Sequence, residues 1–335
     1  MDVGKFMREK WFYALLLIVA LLVPMLVSTR YHFQIIIMGC LFSMATLSLN
    51  LILGYTGQAS LAHAGFFGIG AYGVAILMRD GVSFWLALPF SALVSAFIGL
   101  LIGFPTLRTR GSYFAISTMC FGVIVSIVAA NWIDFTGGAN GITGIRGPDP
   151  IPLLLGTIHF KSMAAQYYLV LAFLLLTLWI MHRLVYSLQG LSFMAIRNNE
   201  MLAEAVGVNT FYGKLLSFVV ANFFAGLAGG LFATLIGNVD PSTAGLELTF
   251  SWLVYLLIGG AATLGGPILG TFFIAVLMEY LQSVAEYRLI IFGALLIVVI
   301  IYFPRGFMGA FTILQERVRA AYGSRKETAK GVARS

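Results

Sequence analysis

Five polar side chains interrupt apolar stretches of the sequence, and their chemistry is unusual for such surroundings. Asn50, Gln58, Ser60 and His63 fall within or beside glycines in the segment LNLILGYTGQASLAHAGFFGIGAYG, residues 49–73, and Glu279 lies in a later apolar run. Amide, hydroxyl, imidazole and carboxylate groups at membrane depth can line a route for a polar solute, and ionisable residues there are candidates for function. These five residues are therefore predicted to line a translocation pathway.

Each of these residues also has a structural interpretation. A single histidine with Gln58 and Ser60 nearby is more often a hydrogen-bonding residue between helices, and this interpretation is favoured for His63. Asn50 is likewise a packing residue before it is a ligand. Glu279 lies within two turns of the predicted outer end of its helix, so a pathway role and simple contact with water both stay open.

A second polar segment, GLSFMAIRNNEMLAEAVGVN, residues 190–209, has the signals of a short capped helix. Asn199 can accept hydrogen bonds from the first backbone N–H groups, and Glu200 in the first turn complements the helix dipole. Gly207 can adopt the left-handed conformation that ends a helix. The sequence predicts about two helical turns, roughly 10 Å long, with Leu202, Ala205 and Val206 repeating at helical spacing.

The composition shows which solvent surrounds these segments. Of the 335 residues, 60% are hydrophobic and 10% are charged, compared with about 25% charged residues in soluble domains. The formal net charge is +7, but the basic residues gather at the ends of apolar segments, which indicates membrane topology and excludes a nucleic-acid surface. Cys40 and Cys120 lie in apolar runs, so neither a disulfide framework nor a metal site is expected.

The apolar segments predict an all-α polytopic membrane protein with about ten transmembrane helices. Fifteen of the 20 Lys and Arg residues fall on the side that also holds both termini, so the N- and C-termini are predicted to be cytoplasmic. The basic N-terminal run is interpreted as a retained first helix and not as a cleaved signal. The predicted spans are residues 11–29, 33–53, 60–78, 84–104, 113–131, 166–182, 215–236, 248–263, 267–284 and 288–303.

The domain organisation follows from these spans. Residues 1–314 form one transmembrane domain, with a cytoplasmic loop at 183–214 and an irregular, glycine-rich external loop at 133–165; residues 315–335 form a basic cytoplasmic tail. A second glycine-rich interruption, LIGGAATLGGPILG, occupies residues 257–270. Paired interruptions in two halves of a chain are typical of transporters built from repeats.

Enzyme motifs are missing from the sequence. There is no zinc-type His/Glu spacing, no G-x-S-x-G motif and no pair of carboxylates in one pocket. Gly213 and Lys214 approach the ATP-binding P-loop pattern, but Val208 replaces its first glycine and Leu215 its magnesium-binding hydroxyl. Any ATP hydrolysis must therefore take place in another chain.

Four segments in this order resemble the membrane permeases of branched-chain amino acid ATP-binding cassette (ABC) importers, of the LivM type. They are the glycine-rich segment 49–73, LRTRGSYFAISTMCFG (107–122), NWIDFTGGANGITGI (131–145) and AIRNNEMLAEAVGVN (195–209), and the turn at 257–270 is similar as well. The resemblance covers most of the chain between about residues 40 and 305.

The resemblance implies an ABC importer permease-like bundle in the bacterial inner membrane, with no cofactor of its own. Its implied partners are a second homologous permease, two subunits that bind ATP and Mg, an external substrate-binding protein and a small amino-acid substrate. No nucleic-acid partner is expected, and membrane lipids surround the chain. The implied ATPase-coupling helix comprises Arg197, Asn199, Glu200, Leu202, Ala203, Glu204, Ala205, Val206 and Gly207.

Other functions stay open at this point. Related permeases carry urea or short amides, so the substrate class is not fixed by the resemblance. An ion-coupled secondary transporter would need charge within the membrane, and only Glu279 is available for it. The polar helix could also rest on the membrane surface, although Glu200 and Glu204 would then face anionic head groups.

Overall fold

The computed structural model describes residues 29–109, 111–153, 156–158, 160, 162–281 and 306–309, together with positions 21, 24, 293, 297 and 301. This part of the chain is almost entirely helical. The α-helices, in chain order, are α1 Arg30–Asn50, α2 His63–Arg79, α3 Phe84–Thr106, α4 Ser112–Asn131, α5 Ile133–Thr136, α6 Met163–Val185, α7 Leu188–Asn198, α8 Glu200–Ala205, α9 Thr210–Ile236, α10 Leu246–Gly259 and α11 Gly266–Tyr280.

Helix α9 is the central element of the bundle, and it packs mainly against α2 and α3. Small residues make this packing close: Gly226 lies against Gly70 of α2 and Ser95 of α3, and Gly229 lies against the carbonyl of Phe67. Ser95 also donates hydrogen bonds to the carbonyls of Phe66 and Asn222, at 3.0 and 2.9 Å. Close approach of backbones replaces the hydrophobic driving force that is missing between helices in lipid.

Helix α1 joins two layers of the bundle. It packs against α6 on one side and against α9, α10 and α11 on others, and its second half is buried. It continues as a π-helical segment, Leu51–Tyr55, and the chain then leaves helical geometry until His63. Short π segments are frequent at functional sites.

Most of the outward-facing large side chains of α3 and α4 are apolar. Exposed residues on these helices include Leu86, Phe90, Leu93, Phe97, Leu101, Ile116, Ile124 and Ile127. An exposed apolar surface of this extent is stable only against lipid or another protein. The outward faces therefore agree with a membrane environment.

Five helices within the described residues are long and apolar enough to cross a membrane: Arg30–Tyr55, Phe84–Thr106, Ser112–Asn131, Met163–Val185 and Thr210–Ile236. They confirm five of the predicted spans. Helix α2 begins at His63 and not at residue 60, because Gly57–Ala62 is not helical. Helices α10 and α11 have only 14 and 15 residues. The predicted spans 11–29 and 288–303 lie almost wholly outside the described residues, as does the tail 315–335.

The segment predicted as an irregular external loop contains short regular elements. After α5 and a 3-10 turn at Gly138–Asn140, strand β1 (Ile142–Thr143) pairs with β4 (Asn238–Val239), which directly follows α9. Strands β2 (Ile151–Leu153) and β3 (Gly156–Ile158) form a small hairpin. The carboxylate of Asp149 accepts hydrogen bonds from Ser83 and from the Phe84 backbone at the start of α3, at 2.7 and 2.8 Å.

Candidate functional site

The polar segment between α6 and α9 forms two helices at one end of the bundle. Asn199, which separates α7 from α8, accepts a hydrogen bond from the backbone N–H of Leu202 at 3.0 Å. It therefore caps the N-terminus of α8, with Glu200 in the first turn. The predicted start of this helix and its capping residue are both confirmed.

The end of α8 also follows the local sequence. Gly207 has a φ of +88°, its N–H donates to the carbonyl of Glu204 at 3.0 Å, and the N–H of Val208 donates to the carbonyl of Ala203 at 3.0 Å. This pair of bonds is a Schellman motif, which ends a helix sharply and favours glycine. The predicted role of Gly207 is confirmed, and α8 is closed at both ends.

Helix α8 exposes its apolar side chains. Met201, Leu202 and Val206 are 71%, 63% and 73% exposed, and Ala205 is exposed as well. Ala203 alone among the residues of α8 is buried, at 3% exposure. The apolar set predicted at helical spacing therefore faces away from the rest of the described chain, and such an unpartnered apolar face favours contact with another molecule.

The opposite side of α8 holds its two carboxylates against α9. The Oε1 atom of Glu200 lies 2.6 Å from Nζ of Lys214, whose side chain is only 4% exposed. The hydroxyl of Thr210 donates to Oε1 of Glu204 at 2.7 Å. These two contacts fix α8 on the first turns of α9.

Helix α7 was not predicted, although its buried residues Gly190, Phe193 and Ile196 follow helical spacing. The side chain of Ile196 packs over Gly213 of α9. Arg197, at the end of α7, lies against Gly57, where a Cβ atom would be 3.1 Å from Cγ of Arg197 and where φ is +76°. The polar segment therefore touches the first glycine-rich interruption directly.

The two glycine-rich interruptions meet at Asn50. Its Nδ2 donates to the carbonyl of Thr263 at 2.7 Å, and its Oδ1 accepts from the N–H of Ala262 at 2.9 Å. Ala262 has a φ of +59°, the only positive value at a non-glycine residue in the described chain. The Asn50 amide thus binds the turn between α10 and α11, which agrees with its packing interpretation.

His63 and Ser60 are both fully buried. Nε2 of His63 lies 2.8 Å from Oγ of Ser48 and 3.0 Å from the carbonyl oxygen of Ala45, and its ring packs edge-on against Trp252. The predicted hydrogen bonding of His63 between helices is confirmed. Within the described residues, Nδ1 of His63 and Oγ of Ser60 have no hydrogen-bond partner. Gln58 is half-buried.

Glu279 is not brought together with the other four pathway candidates. Its carboxylate accepts a hydrogen bond from the Tyr31 hydroxyl at 2.7 Å, near the start of α1. Asn50 is the last residue of the same helix, so the two positions are separated by about 28 Å along the helix axis. The structure therefore separates Glu279 from Asn50 and from His63, whose partners Ala45 and Ser48 lie near the Asn50 end of α1.

The fold and the site together define a class of protein. It is a multi-pass helical membrane protein whose polar helices α7 and α8 lie at one end of an apolar bundle. Within this class, residues 31–300 match the family model for the branched-chain amino acid transport system / permease component. The chain belongs to this family. It is a multi-pass membrane permease of the ABC-importer kind, and it is not itself an ATPase.

Several characterised permeases are similar to the chain. It is 32% identical over 328 residues to the high-affinity branched-chain amino acid transport system permease protein LivM of Salmonella typhimurium, covering 91% of this chain and 76% of that protein. The Escherichia coli LivM protein is 31% identical over 329 residues, with the same coverage. The LivH permease of Salmonella typhimurium is 24% identical over 302 residues, covering 83% of this chain and 94% of LivH.

Proposed function

We propose that this chain imports branched-chain amino acids as the permease subunit of an ATP-driven complex in the bacterial inner membrane. Family membership and the LivM-type relatives support this substrate class over urea and short amides. Similarity to relatives of both the LivM and the LivH type supports pairing with a second, related permease. In this proposal, two ATP-binding subunits that hold ATP and Mg and an external binding protein complete the complex.

The proposed topology places α7 and α8 in the cytoplasm and the β1–β4 ribbon outside. The excess of Lys and Arg on one side supports this orientation. About ten spans, with both termini in the cytoplasm, then surround the translocation route. Alternating access requires that one end of this bundle respond to ATP.

The observation that carries the proposal is the geometry of α8. It is a short helix with closed ends that presents Met201, Leu202 and Val206 outward, and these side chains have the apolar character of a docking surface. We therefore assign α8 and its flanking residues Arg197 and Gly207 to contact with an ATP-binding subunit.

Cysteine crosslinking tests this docking. With Cys40 and Cys120 replaced by serine in the assembled complex, Ala205→Cys is expected to crosslink to the ATP-binding subunit in a way that changes with bound nucleotide. Ala203→Cys is the matched control, since Ala203 is buried and its thiol should stay unreactive. Labelling of Ala205→Cys only by reagents dissolved in the lipid phase contradicts the proposal.

Among the pathway candidates, Gln58, Ser60 and His63 are proposed to line the route. Ser60 and His63 each have a buried polar atom with no partner among the described residues, and an unpaired buried group favours a polar ligand or water. Asn50 and Glu279 are each engaged in hydrogen bonds. Their proposed part in the pathway is to hold its walls.

Uptake into proteoliposomes tests the substrate. Labelled leucine is supplied with the binding protein and ATP, and unlabelled valine, urea and acetamide compete in parallel. Valine is expected to compete and the two amides are not. Competition by urea or acetamide at concentrations similar to valine, or uptake without ATP, contradicts the proposed function.

A further inference from the structure

Helix α8 and the start of α9 form an antiparallel hairpin that two side-chain contacts close. Glu200 and Glu204 are one turn apart on α8, and Thr210 and Lys214 are one turn apart on α9. The outer residues pair, Glu200 with Lys214 at 2.6 Å, and the inner residues pair, Glu204 with Thr210 at 2.7 Å. We call these two contacts the clamp.

The clamp connects α8 to the bundle through side chains of α9. Among the residues of α8, only Ala203 is buried, so apolar packing contributes little to holding this helix in place. The Lys214 ammonium, by contrast, is nearly excluded from solvent. A buried cation is costly without a partner anion, so Lys214 holds the Glu200 carboxylate firmly.

Helix α9 continues from the clamp across the whole bundle. Its 27 residues correspond to a length of about 40 Å. At its far end, the carbonyl of Gly237 accepts a hydrogen bond from the N–H of Ile145 at 3.0 Å, and β4 pairs with β1. One helix therefore connects α8 directly to the β1–β4 ribbon.

Packing along α9 makes it stiff. Gly226 and Gly229 bring its backbone against the backbone of α2 at Gly70 and Phe67, and the Ser95 side chain of α3 packs directly on Gly226. The interior of such close contacts deforms little. A displacement at the Thr210 end is therefore expected to move the helix as a unit and not to be absorbed within it.

We propose that the clamp makes α9 the element that transmits movement from the coupling helix to the external β1–β4 ribbon. Glu200, Glu204, Thr210 and Lys214 are positioning residues in this step, because they act through α9 and not on the substrate. The inference rests on the proposed docking of α8 to the ATP-binding subunit. It adds the path that the resulting movement takes.

The test uses the assembled complex with Cys40 and Cys120 replaced by serine. A fluorophore on Thr143→Cys, an exposed position of β1, reports movement of the ribbon when ATP binds. In Lys214→Met and Glu200→Gln, this nucleotide-dependent signal is expected to disappear, and leucine transported per ATP hydrolysed is expected to fall roughly tenfold. The reversed pair, Glu200→Lys with Lys214→Glu, is expected to restore both.

The Ala205→Cys crosslink separates this inference from the proposed function. If Ala205→Cys forms no crosslink to the ATP-binding subunit in the complex with an intact clamp, the proposed docking of α8 is refuted. The inference alone is overturned if the crosslink persists but both clamp variants leave the ribbon signal and the coupling ratio unchanged. The coupling ratio is the amount of leucine transported per ATP hydrolysed. A reversed pair that assembles without restoring coupling also overturns the inference, since the contact would then act in another way.

A milder variant, Thr210→Val, distinguishes a loss of coupling from misfolding of the chain. Thr210→Val removes the inner contact but keeps the shape of the side chain and leaves Lys214 paired. It is expected to assemble normally and to lower the coupling ratio by about two- to threefold. Ser217→Ala, farther along α9, is the matched control. The Ser217 hydroxyl donates to the Lys214 carbonyl within the same helix, so this change is expected to alter neither the ribbon signal nor the coupling ratio.

Discussion

Replacing Asn50 by alanine distinguishes a packing role from a substrate-binding role at this residue. The change removes both hydrogen bonds between α1 and the turn that joins α10 to α11, which are 2.7 and 2.9 Å long. It leaves the Ala262 N–H and the Thr263 carbonyl without their present partners. The expected result is a less stable bundle with a loosened turn.

The magnitude follows from the two bonds. An interhelical hydrogen bond in a membrane protein contributes about 0.6 kcal/mol on average, and an unpaired buried backbone group costs about 1–3 kcal/mol. Because Ala262 and Thr263 are only half-buried, water offsets part of this cost. We expect a loss of about 1–4 kcal/mol in the free energy of unfolding.

The assay is thermal unfolding of the purified chain or complex in detergent. At about 2 °C per kcal/mol for a large domain, Asn50→Ala is expected to lower the apparent unfolding temperature by roughly 2–8 °C. Asn131→Ala is the matched control, because the Asn131 amide donates only to the Ile127 carbonyl within its own exposed helix. Its expected shift is below about 1 °C.

The opposite outcome refutes the reasoning. If Asn50→Ala unfolds at the unchanged temperature while the KM for leucine uptake rises, the amide contacts the substrate and not the turn. Hydrogen exchange gives an independent check, since the Ala262 amide is expected to exchange faster in the variant and not in the control.

Three further predictions concern backbone geometry and capping. Gly207→Ala places a side chain at a φ of +88° and is expected to destabilise α8 by about 1 kcal/mol and to slow leucine uptake. Gly147→Ala is the control, because an added Cβ atom at Gly147 would meet no atom within 4 Å. Gly70→Ala would overlap the Gly226 carbonyl, and a loss of about 3 kcal/mol or failed assembly is expected in thermal unfolding. Asp149→Ala removes a capping acceptor and is expected to cost about 1 kcal/mol, seen as faster hydrogen exchange at the start of α3.

Features that depend on neighbouring residues could be predicted from the sequence. The caps at Asn199 and Gly207 use donors and acceptors within four residues, so the residue types alone indicate them. The five long apolar helices follow from composition along the chain.

Features that depend on residues far apart in the sequence could not be predicted from the sequence. The partners of Asn50 lie 212 and 213 positions away, and no local pattern encodes this pairing. The residues of the clamp lie close together in sequence, but the sequence indicates Gly207 only as a helix end and not as part of a turn that brings α8 against α9. Helix α7 was missed because its three buried residues are separated by exposed apolar ones such as Leu191 and Met194.

The Asn50 contact also affects how the chain is made. Its partner at Thr263 lies 213 residues later, and a ribosome adds about 5–20 residues per second. The Asn50 amide therefore stays without its final partner for roughly 10–40 s after its own synthesis, while α1 is already in the membrane. A chain that stops before the late turn never makes this bond, so its α1 lacks the connection to the turn between α10 and α11 that the complete chain has.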